Sequence, residues 1–545
     1  MCPNWRDYHI IRKSGLFDPV YYLLHNPDVR IADINPLKHF VKFGWKEGRN
    51  PSENFDIRYY LDLNPDIQAA KVNPLVHYVR IGKKEGRSAF AYVIEDKSVI
   101  IPSPDFYNLS KQSTGIIVSE ENLSRLPIFF EDQIKLYDEK VSVIIPTKNA
   151  GRDFELLLKN LKGQKGFKSI ELMIVDSGSQ DNTIAIAEDY GVKILSILPE
   201  EFSHSYARNV GIENATGDYF LFTVQDALPP SNTWLYELFT VLKTNEVVAV
   251  SCAETPREDA DLFYRVISWN HYNFLDVNDK DRIFKLPEAP DYVKIRQNGQ
   301  LSDVACLIDS RISKKYKYRL DYAEDLDLGI RLIKDGHKIA FLGTTRIIHS
   351  HNRPAYYFLK RGYVDNLFLS EMFSDFVTPK INIEDLVTDV AFVYQYLNEI
   401  IKEKLLSIKF PVTTTIFETT LREAFDLADK QTYPGELSKQ NDDFMDNRFI
   451  GFIEDFVDPL GFLNSGKQYS GFLVNALMGF ITLTINYLNN SYEIIDDKLV
   501  NEIMGCIYKE FAIVVGSRLA YCYINKLTDD NVELEKMHTT LKEGI

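Results

Sequence analysis

Cysteine is scarce in this sequence: five residues in 545, at Cys2, Cys252, Cys306, Cys506 and Cys522. The number is odd, the spacing is scattered and no Cys-x-x-Cys pair occurs. Neither a disulfide framework nor a thiolate zinc site is expected, and a reducing compartment fits. Positive charge is also in short supply. The 62 Lys and Arg are outnumbered by 78 Asp and Glu, for a net charge of −16 and a pI near 5.2. Nucleic-acid backbones are held by clustered Lys and Arg, so no nucleic-acid partner is expected, although one nucleotide can still bind at a local site. The start, Met1-Cys2-Pro3-Asn4-Trp5-Arg6, lacks the charged-then-apolar layout of a signal peptide. Long apolar runs are missing as well. The nearest, Phe472 to Leu488, is interrupted by Asn475, Thr482, Thr484 and Asn486 and falls short of the ~20 residues a membrane helix needs. It reads as a buried helix. The expected location is the cytoplasm, and both peripheral association with the inner face of a membrane and homo-oligomerisation are compatible with the composition.

A chain of 545 residues exceeds one hydrophobic core, so two to four domains are expected. Residues 1–90 contain a tandem repeat shifted by 38 positions. Tyr21-Tyr22-Leu23 recurs as Tyr59-Tyr60-Leu61, Asn26-Pro27-Asp28 as Asn64-Pro65-Asp66, Asn35-Pro36-Leu37 as Asn73-Pro74-Leu75, His39 as His77, and Glu47-Gly48-Arg49 as Glu85-Gly86-Arg87. Each unit reads as a short helix, an Asn-Pro-Asp turn and a second helix closed by Gly. His39 and His77 sit on apolar stretches, which points to structural positions in a docking or spacing module. Residues 91–138 read as a linker with some packed structure. Over 139–370 strands and helices alternate, which predicts an α/β layer fold with a mainly parallel sheet. Residues 371–545 turn helical, with Ile383–Lys404, Thr413–Asp429, Phe472–Leu488 and Val500–Lys526 as the periodic segments.

The residues that carry chemistry fall where strands of the α/β region end. Val141-Ser142-Val143-Ile144-Ile145-Pro146-Thr147-Lys148-Asn149 is a buried first strand running out into a loop. Glu171 to Val175 forms a second, followed by Asp176-Ser177-Gly178-Ser179-Gln180-Asp181. Ligands of open α/β sheets bind at the carboxyl ends of strands, so this acceptor-rich turn can take the N–H of a nucleotide base. Ser179 or Asp181 can equally cap the helix that follows. Arg208, in Phe202–Gly211, offers a planar fork suited to a diphosphate, or a surface ion pair. Tyr219–Val224 is a strand that runs into Gln225-Asp226, where one carboxylate can hold Mg²⁺ or Mn²⁺. Glu324-Asp325 opens a helix, so the pair either caps it or supplies a general base. His349-Ser350-His351 follows a late strand and can add an imidazole ligand.

Taken in order, VSVIIPTKN, VDSGSQDNT, FSHSYARNVGIENATGDYFLF, QDALP, AEDLDLGIRLIKDG and HSHN resemble the family 2 glycosyltransferases, and among them the bacterial rhamnosyltransferase-like branch, from about Val141 to Gly362. The resemblance implies a GT-A fold, a divalent metal and an inverting reaction. It assigns Pro146, Thr147, Asn149, Asp176 and Ser177 to the nucleoside, with Gln225 beside them, and Arg208 to the diphosphate. Asp226 matches the last Asp of the family's Asp-x-Asp metal motif, Asp325 with Glu324 the catalytic base, and His349 or His351 a late metal ligand. Val224 stands where that motif has its first Asp, which weakens the expected metal site. The implied cofactor is Mn²⁺ or Mg²⁺. The implied donor is a nucleotide sugar, dTDP-rhamnose or a UDP-sugar, and the implied acceptor is a glycan or lipid-linked glycan of a bacterial surface polysaccharide or lipopolysaccharide. Acceptor-side candidates lie between Cys252 and Asp309, with Trp269, His271 and Asp303 foremost. A sugar-nucleotide pyrophosphorylase would need a Gly-rich basic loop after the first strand, which Pro146-Thr147-Lys148-Asn149 is not. The remaining alternative is a non-catalytic glycan-binding scaffold with a degenerate GT-A domain.

Overall fold

In a computed structural model, the structure describes residues 4–87 except 27, 28, 31–33, 53, 54 and 86, and residues 134–543 except 152, 279, 379, 382, 398–400, 402, 403, 406, 427–446, 453–471, 493 and 527–530. Most of the expected connector, 91–138, therefore lies outside the described residues. The chain divides into two compact units, one built on the first 97 residues and the other on the bulk of the chain from 133 onward.

In the first unit both repeats build the same local structure. Helix Pro19–Leu24 is followed by Pro36–His39, and Ile57–Leu63 by Pro74–His77 with a further helix, Pro65–Ala70, between them where the sequence predicts a turn; Pro36–His39 and Pro74–His77 both begin with Pro and widen into a π-type turn ending at Gly44 and Gly82. The side chains of Asn35 and Asn73 accept backbone N–H groups there, as helix caps do. His39 and His77 face inward, each with Nδ1 2.9 Å from the hydroxyl of the repeat's buried tyrosine, Tyr22 or Tyr60. The guanidinium of Arg49 reaches Asn26 Oδ1 at 2.9 Å, and that of Arg87 reaches Asn64 Oδ1 at 2.7 Å. The repeated glycines have a steric cause: a Cβ on Gly44 would lie 1.8 Å from Tyr22 Oη, and one on Gly82 2.2 Å from Tyr60 Oη. The recurring buried Tyr, the His that bonds it, the buried Asn and the Gly thus serve each repeat's own interior.

The second unit is built on an eight-stranded sheet of order β3-β2-β1-β4-β7-β5-β8-β6. The strands are β1 (Val141–Thr147), β2 (Ile170–Asp176), β3 (Lys193–Ser196), β4 (Tyr219–Thr223), β5 (Ala249–Thr255), β6 (Asp281–Phe284), β7 (Ala305–Asp309) and β8 (Ile339–Ile348). Six run in one direction, and β6 and β7 run against them. Val141, Val143, Ile144 and Ile145 of β1 are fully buried, as a strand covered on both faces requires. Parallel connectivity has a functional result. The carboxyl ends of β1, β2, β4, β5 and β8 share one edge, and because β7 is reversed, the loop that enters it arrives at that same edge.

Helix Ala355–Met372 leaves the α/β region and packs along the 28-residue helix Asp497–Ile524. Their backbones touch: a Cβ on Gly516 would fall 2.0 Å from the Leu359 carbonyl oxygen. The apolar core here is continuous from Leu262, Phe263 and Val266, on the helix after β5, through the C-terminal helices. Phe472–Ser491 is one helix, with Leu473, Leu477, Phe480, Ile481 and Leu488 buried against its neighbours, as expected of a core segment. Among the described residues no helix is long and apolar enough to cross a membrane.

Candidate active site

Three groups of side chains meet at the shared edge. The first surrounds the ends of β1 and β2, where Thr147 and Asp176 are register partners. The Asp176 carboxylate is saturated. Its Oδ2 accepts the Thr147 hydroxyl at 3.0 Å and the Ser179 hydroxyl at 2.5 Å, and its Oδ1 accepts the N–H groups of Gly178 and Ser179 at 3.0 and 2.9 Å. Ser177 is buried, with its hydroxyl turned back to the Thr147 carbonyl. Asn149 adopts the left-handed backbone conformation, φ 49°, which Asn tolerates better than most residues. Its Oδ1 accepts the Gln180 N–H at 2.7 Å, and its own N–H donates to Ser179 Oγ at 2.8 Å. Gln225 joins this turn to the loop after β4, its Oε1 accepting the Lys148 N–H at 2.9 Å. Asp181 accepts the N–H and hydroxyl of Thr183, the first residue of the next helix, from the position just before its N-cap, Asn182. Pro146, Thr147, Asn149, Asp176, Ser177 and Gln225 are thus gathered into one cross-linked cradle.

The second group is a candidate metal centre. Asp226 follows β4 and His349 follows β8. The two loops are stitched by reciprocal backbone bonds between Leu228 and Ile348, 2.8 and 3.0 Å. Asp226, His349 and His351 each present a ligand atom, all within 4.8 Å of one another. His349 Nε2 lies 3.6 Å from Asp226 Oδ1, and His351 Nε2 lies 3.5 Å from Asp226 Oδ2. The two Nε2 atoms are 3.2 Å apart. Two imidazole nitrogens and a carboxylate converging on one point is a mixed N/O donor set that fits a divalent first-row cation. Burial works against a charge on His349, but the carboxylates of Glu254 and Asp226 outweigh it and hold its pKa above the usual value. Burial and the neighbouring His349 charge lower that of His351.

The third group is acidic and sits where the helix Glu324–Lys334 begins. Arg208 is buried, and its Nη1 lies 2.7 Å from Glu324 Oε1 and 3.2 Å from Asp303 Oδ2. Asp303 also accepts the Tyr318 hydroxyl at 2.7 Å. Asp303 and Glu324 are buried, whereas Asp325 is partly open to solvent. Loss of hydration, then the charges of Asp303 and Glu324, push the Asp325 carboxyl well above the ordinary carboxylate range. Asp303 is likewise raised by burial, with Arg208 opposing the shift and Glu324 adding to it. Asp303 and Glu324 share one guanidinium, and Asp303 and Asp325 hold their protons more readily than an isolated carboxylate does. Arg208 thus meets acids within the protein through Nη1, while its buried Nε has no hydrogen-bond partner among the described residues; this buried ion pair stands where the family resemblance assigned the residue to the diphosphate.

Two further residues went unnoticed in the sequence. Glu254, at the end of β5, bonds His349 Nδ1 through Oε2 at 2.7 Å. Arg257 bonds Asp153 at 2.8 Å and the Asp226 carbonyl, and its N–H reaches Ser350 Oγ at 3.1 Å. The available signal was position: Glu254 lies at, and Arg257 just past, the carboxyl end of β5 on the ligand edge. Of the acceptor-side candidates, Asp303 belongs to the acidic group. Trp269 is half-buried with its ring edge-on to Tyr487, 5.9 Å between centroids. The ring of His271 lies 5.4 Å from that of Tyr272, and burial together with Arg296 lowers its pKa to about 4.

Comparison with known proteins finds similarity within the α/β region. Residues 142–295 match the family model described as Glycosyl transferase family 2. The chain is 26% identical over 216 residues to the O-antigen chain rhamnosyltransferase RfbN of Salmonella typhimurium, covering 39% of this chain and 67% of that one. It is 27% identical over 218 residues to the O-antigen chain rhamnosyltransferase WbaN of Salmonella anatum, covering 39% and 66%. The matched stretch is thus about two thirds of each relative and well under half of this chain. Among solved structures, a mannosyltransferase from Pyrobaculum calidifontis in complex with GDP-Man and Mn²⁺ aligns at 19% identity and a TM-score of 0.34, over 45% of this chain and 66% of that one.

Proposed function

The chain carries a family 2 glycosyltransferase domain of GT-A architecture, and from that premise we propose that it transfers a sugar from a nucleoside-diphosphate donor to a hydroxyl of a glycan acceptor, with inversion at the anomeric carbon. The observation that carries this reading is the meeting of a polar, hydrogen-bonded cradle, a three-ligand cation site and a solvent-reached acid on one sheet edge. In this reading dTDP-rhamnose or a UDP-sugar is the donor. A growing bacterial surface polysaccharide or lipopolysaccharide, free or lipid-linked, is the acceptor. The similarity to two O-antigen rhamnosyltransferases supports both choices.

Asp226, His349 and His351 would hold the metal, Mn²⁺ or Mg²⁺, whose positive charge offsets that of the leaving diphosphate. The cradle of Thr147, Asn149, Asp176 and Ser177 lines the nucleoside site, the fully engaged Asp176 carboxylate bracing the turn rather than contacting the base, and its internal bonds mean that little has to be ordered when donor arrives. Asp325 takes the proton from the acceptor hydroxyl as the oxygen attacks the anomeric carbon from the side opposite the diphosphate. The crowding of Asp303 and Glu324 makes the ionised Asp325 a stronger base than an isolated carboxylate, and Arg208 keeps that crowding tolerable. Asp325→Asn is the test. Transfer should fall by at least ~10²-fold, at the lower end of general-base contributions, with donor binding retained. Near-normal turnover would remove Asp325 from the mechanism. If neither the native protein nor the variant shows a melting shift with Mn²⁺ and any nucleoside diphosphate, the scaffold reading, favoured by Val224, takes its place.

A further inference from the structure

We propose that Glu254 is the positioning residue of the cation site: it holds the His349 ring so that Nε2 faces Asp226 and His351. This inference rests on the reading of those three residues as metal ligands, and goes beyond it by naming what makes the site geometrically possible.

The argument begins with strand parity. β5 and β8 pair in parallel from Ala249↔Ile339 to Cys252↔Leu342, and then the register jumps, so that Ala253 pairs with Arg346. Residues 343–345 are looped out of the ladder. Side chains alternate along a strand, so an odd displacement exchanges the faces. After the jump Glu254 pairs with Ile347, two residues before His349, and this puts Glu254 and His349 on the same side. Without it Glu254 would stand opposite Thr344, five residues before His349, and the two side chains would face apart. The irregularity is itself anchored. Thr344 bonds Asp281 through its N–H and hydroxyl at 3.0 and 2.9 Å, and the Thr345 hydroxyl bonds Glu237 at 2.9 Å.

Glu254 is then fixed from several directions. Its N–H donates to the Tyr272 hydroxyl at 2.8 Å, and its carbonyl accepts from Arg346 at 3.2 Å. Its Oε2 accepts the Tyr264 hydroxyl at 2.5 Å and meets His349 Nδ1 at 2.7 Å. An ionised carboxylate only accepts, so the imidazole proton belongs on Nδ1 and the Nε2 lone pair is left for a ligand. A carboxylate behind an imidazole also strengthens it as a donor to a metal. Where the strand end offers Val224 in place of a second carboxylate, Glu254 adds negative charge behind the site without occupying a coordination position.

The experiment is a Mn²⁺ titration of the full chain, read by the loss of the free-Mn²⁺ electron paramagnetic resonance signal, with the melting temperature of the metal-free protein measured alongside. Glu254→Gln keeps the shape and removes the charge. It should weaken Mn²⁺ binding by about 10- to 100-fold, a loss read separately from any fall in the metal-free melting temperature that breaking the Glu254–His349 pair causes. Tyr264→Phe, which frees the same carboxylate from one restraint, should weaken it by a smaller factor. A merely structural role would move the metal-free melting temperature and leave Mn²⁺ affinity alone. Mn²⁺ affinity within about threefold of the native value in Glu254→Gln, alongside loss of binding in Asp226→Ala, overturns the role of Glu254 and leaves the metal site standing. Undiminished binding in Asp226→Ala overturns both. Should Glu254→Gln not fold, unchanged Mn²⁺ affinity in Tyr264→Phe overturns the proposal.

Discussion

Replacing Arg208 by Met separates two roles that the sequence could not. The guanidinium is buried, at 2.7 Å from Glu324 and 3.2 Å from Asp303, and both acids are buried too. At an effective dielectric near 20, charges at those distances attract by roughly 5–6 kcal/mol each, and most of this is offset by the hydration all three groups give up. Taking away the one cation leaves the carboxylates uncompensated, a change that costs about 3–5 kcal/mol in buried pairs. Methionine keeps most of the side-chain volume, so the loss is electrostatic. The sign of its pH dependence follows. Without Arg208 the acids relieve their repulsion by binding protons, so the destabilisation is largest at pH 7.5 and shrinks as the pH falls toward 5. Urea unfolding followed by tryptophan fluorescence, to which Trp234, buried in the same unit, contributes, measures this. Glu324→Gln added to Arg208→Met should recover part of the loss. If instead Arg208→Met loses less than about 1 kcal/mol of stability while donor binding collapses, the guanidinium belongs to the diphosphate and the reasoning from the ion cluster is wrong.

Two other outcomes follow from displaced carboxyl groups. Asp325 must be ionised to accept a proton, and its pKa lies above the usual range; kcat/KM should therefore fall with decreasing pH through a midpoint above that of an ordinary aspartate, and a midpoint near ~4 would count against the crowding by Asp303 and Glu324. Glu510, in the core of the C-terminal helices, is raised by burial from 4.5 to about 8, with the Thr484 hydroxyl and Cys506 as partners. A raised carboxyl leaves stability intact below its unfolded pKa and removes it as the pH climbs to the folded one. Glu510→Gln should be near neutral at pH 4.5 and more stable than the native chain by about 3 kcal/mol at pH 7; parallel pH–stability curves for the two would refute this.

The parts legible in the sequence were local or carried by chain order. The β-branched run Val141–Ile145, the turn after Val175 and the acids opening the helix at Glu324 announce themselves within a few residues. The rule that ligands bind at strand ends put Asp176, Asp226 and His349 on one edge. What could not be read depends on contacts between distant segments. Arg208 and Glu324 are 116 positions apart, and nothing near Arg208 marks it as buried. Glu254 is joined to His349 across 95 positions by a register jump at Cys252/Ala253, and no side-chain pattern around Gly343 foretells it. The reversed direction of β7, which delivers Asp303 to the active edge, is equally a matter of topology. The repeat was legible as a repeat, and the tyrosine contacts explain why its His and Gly recur.

Val224 has an electrostatic consequence for the proposed metal site. Asp226 contributes one negative charge, and neutral His349 and His351 contribute none. Counting the coordinating groups alone, a divalent cation held by these three leaves a net charge of about +1, where a site with two aspartates would leave none; Glu254 offsets part of it from behind His349 without coordinating. The free protein should therefore hold Mn²⁺ weakly, and a nucleoside diphosphate, with its own negative oxygens, should complete the site. Binding of the two must then be coupled, and the coupling is reciprocal: whatever factor the diphosphate adds to Mn²⁺ affinity, Mn²⁺ adds to diphosphate affinity. Titrating Mn²⁺ with and without dTDP or UDP, and each nucleotide with and without Mn²⁺, should give the same factor in both directions, on the order of 5- to 150-fold. If Mn²⁺ binds equally well with and without nucleotide, the single-carboxylate site is not where the two meet, and the role assigned to Asp226 falls.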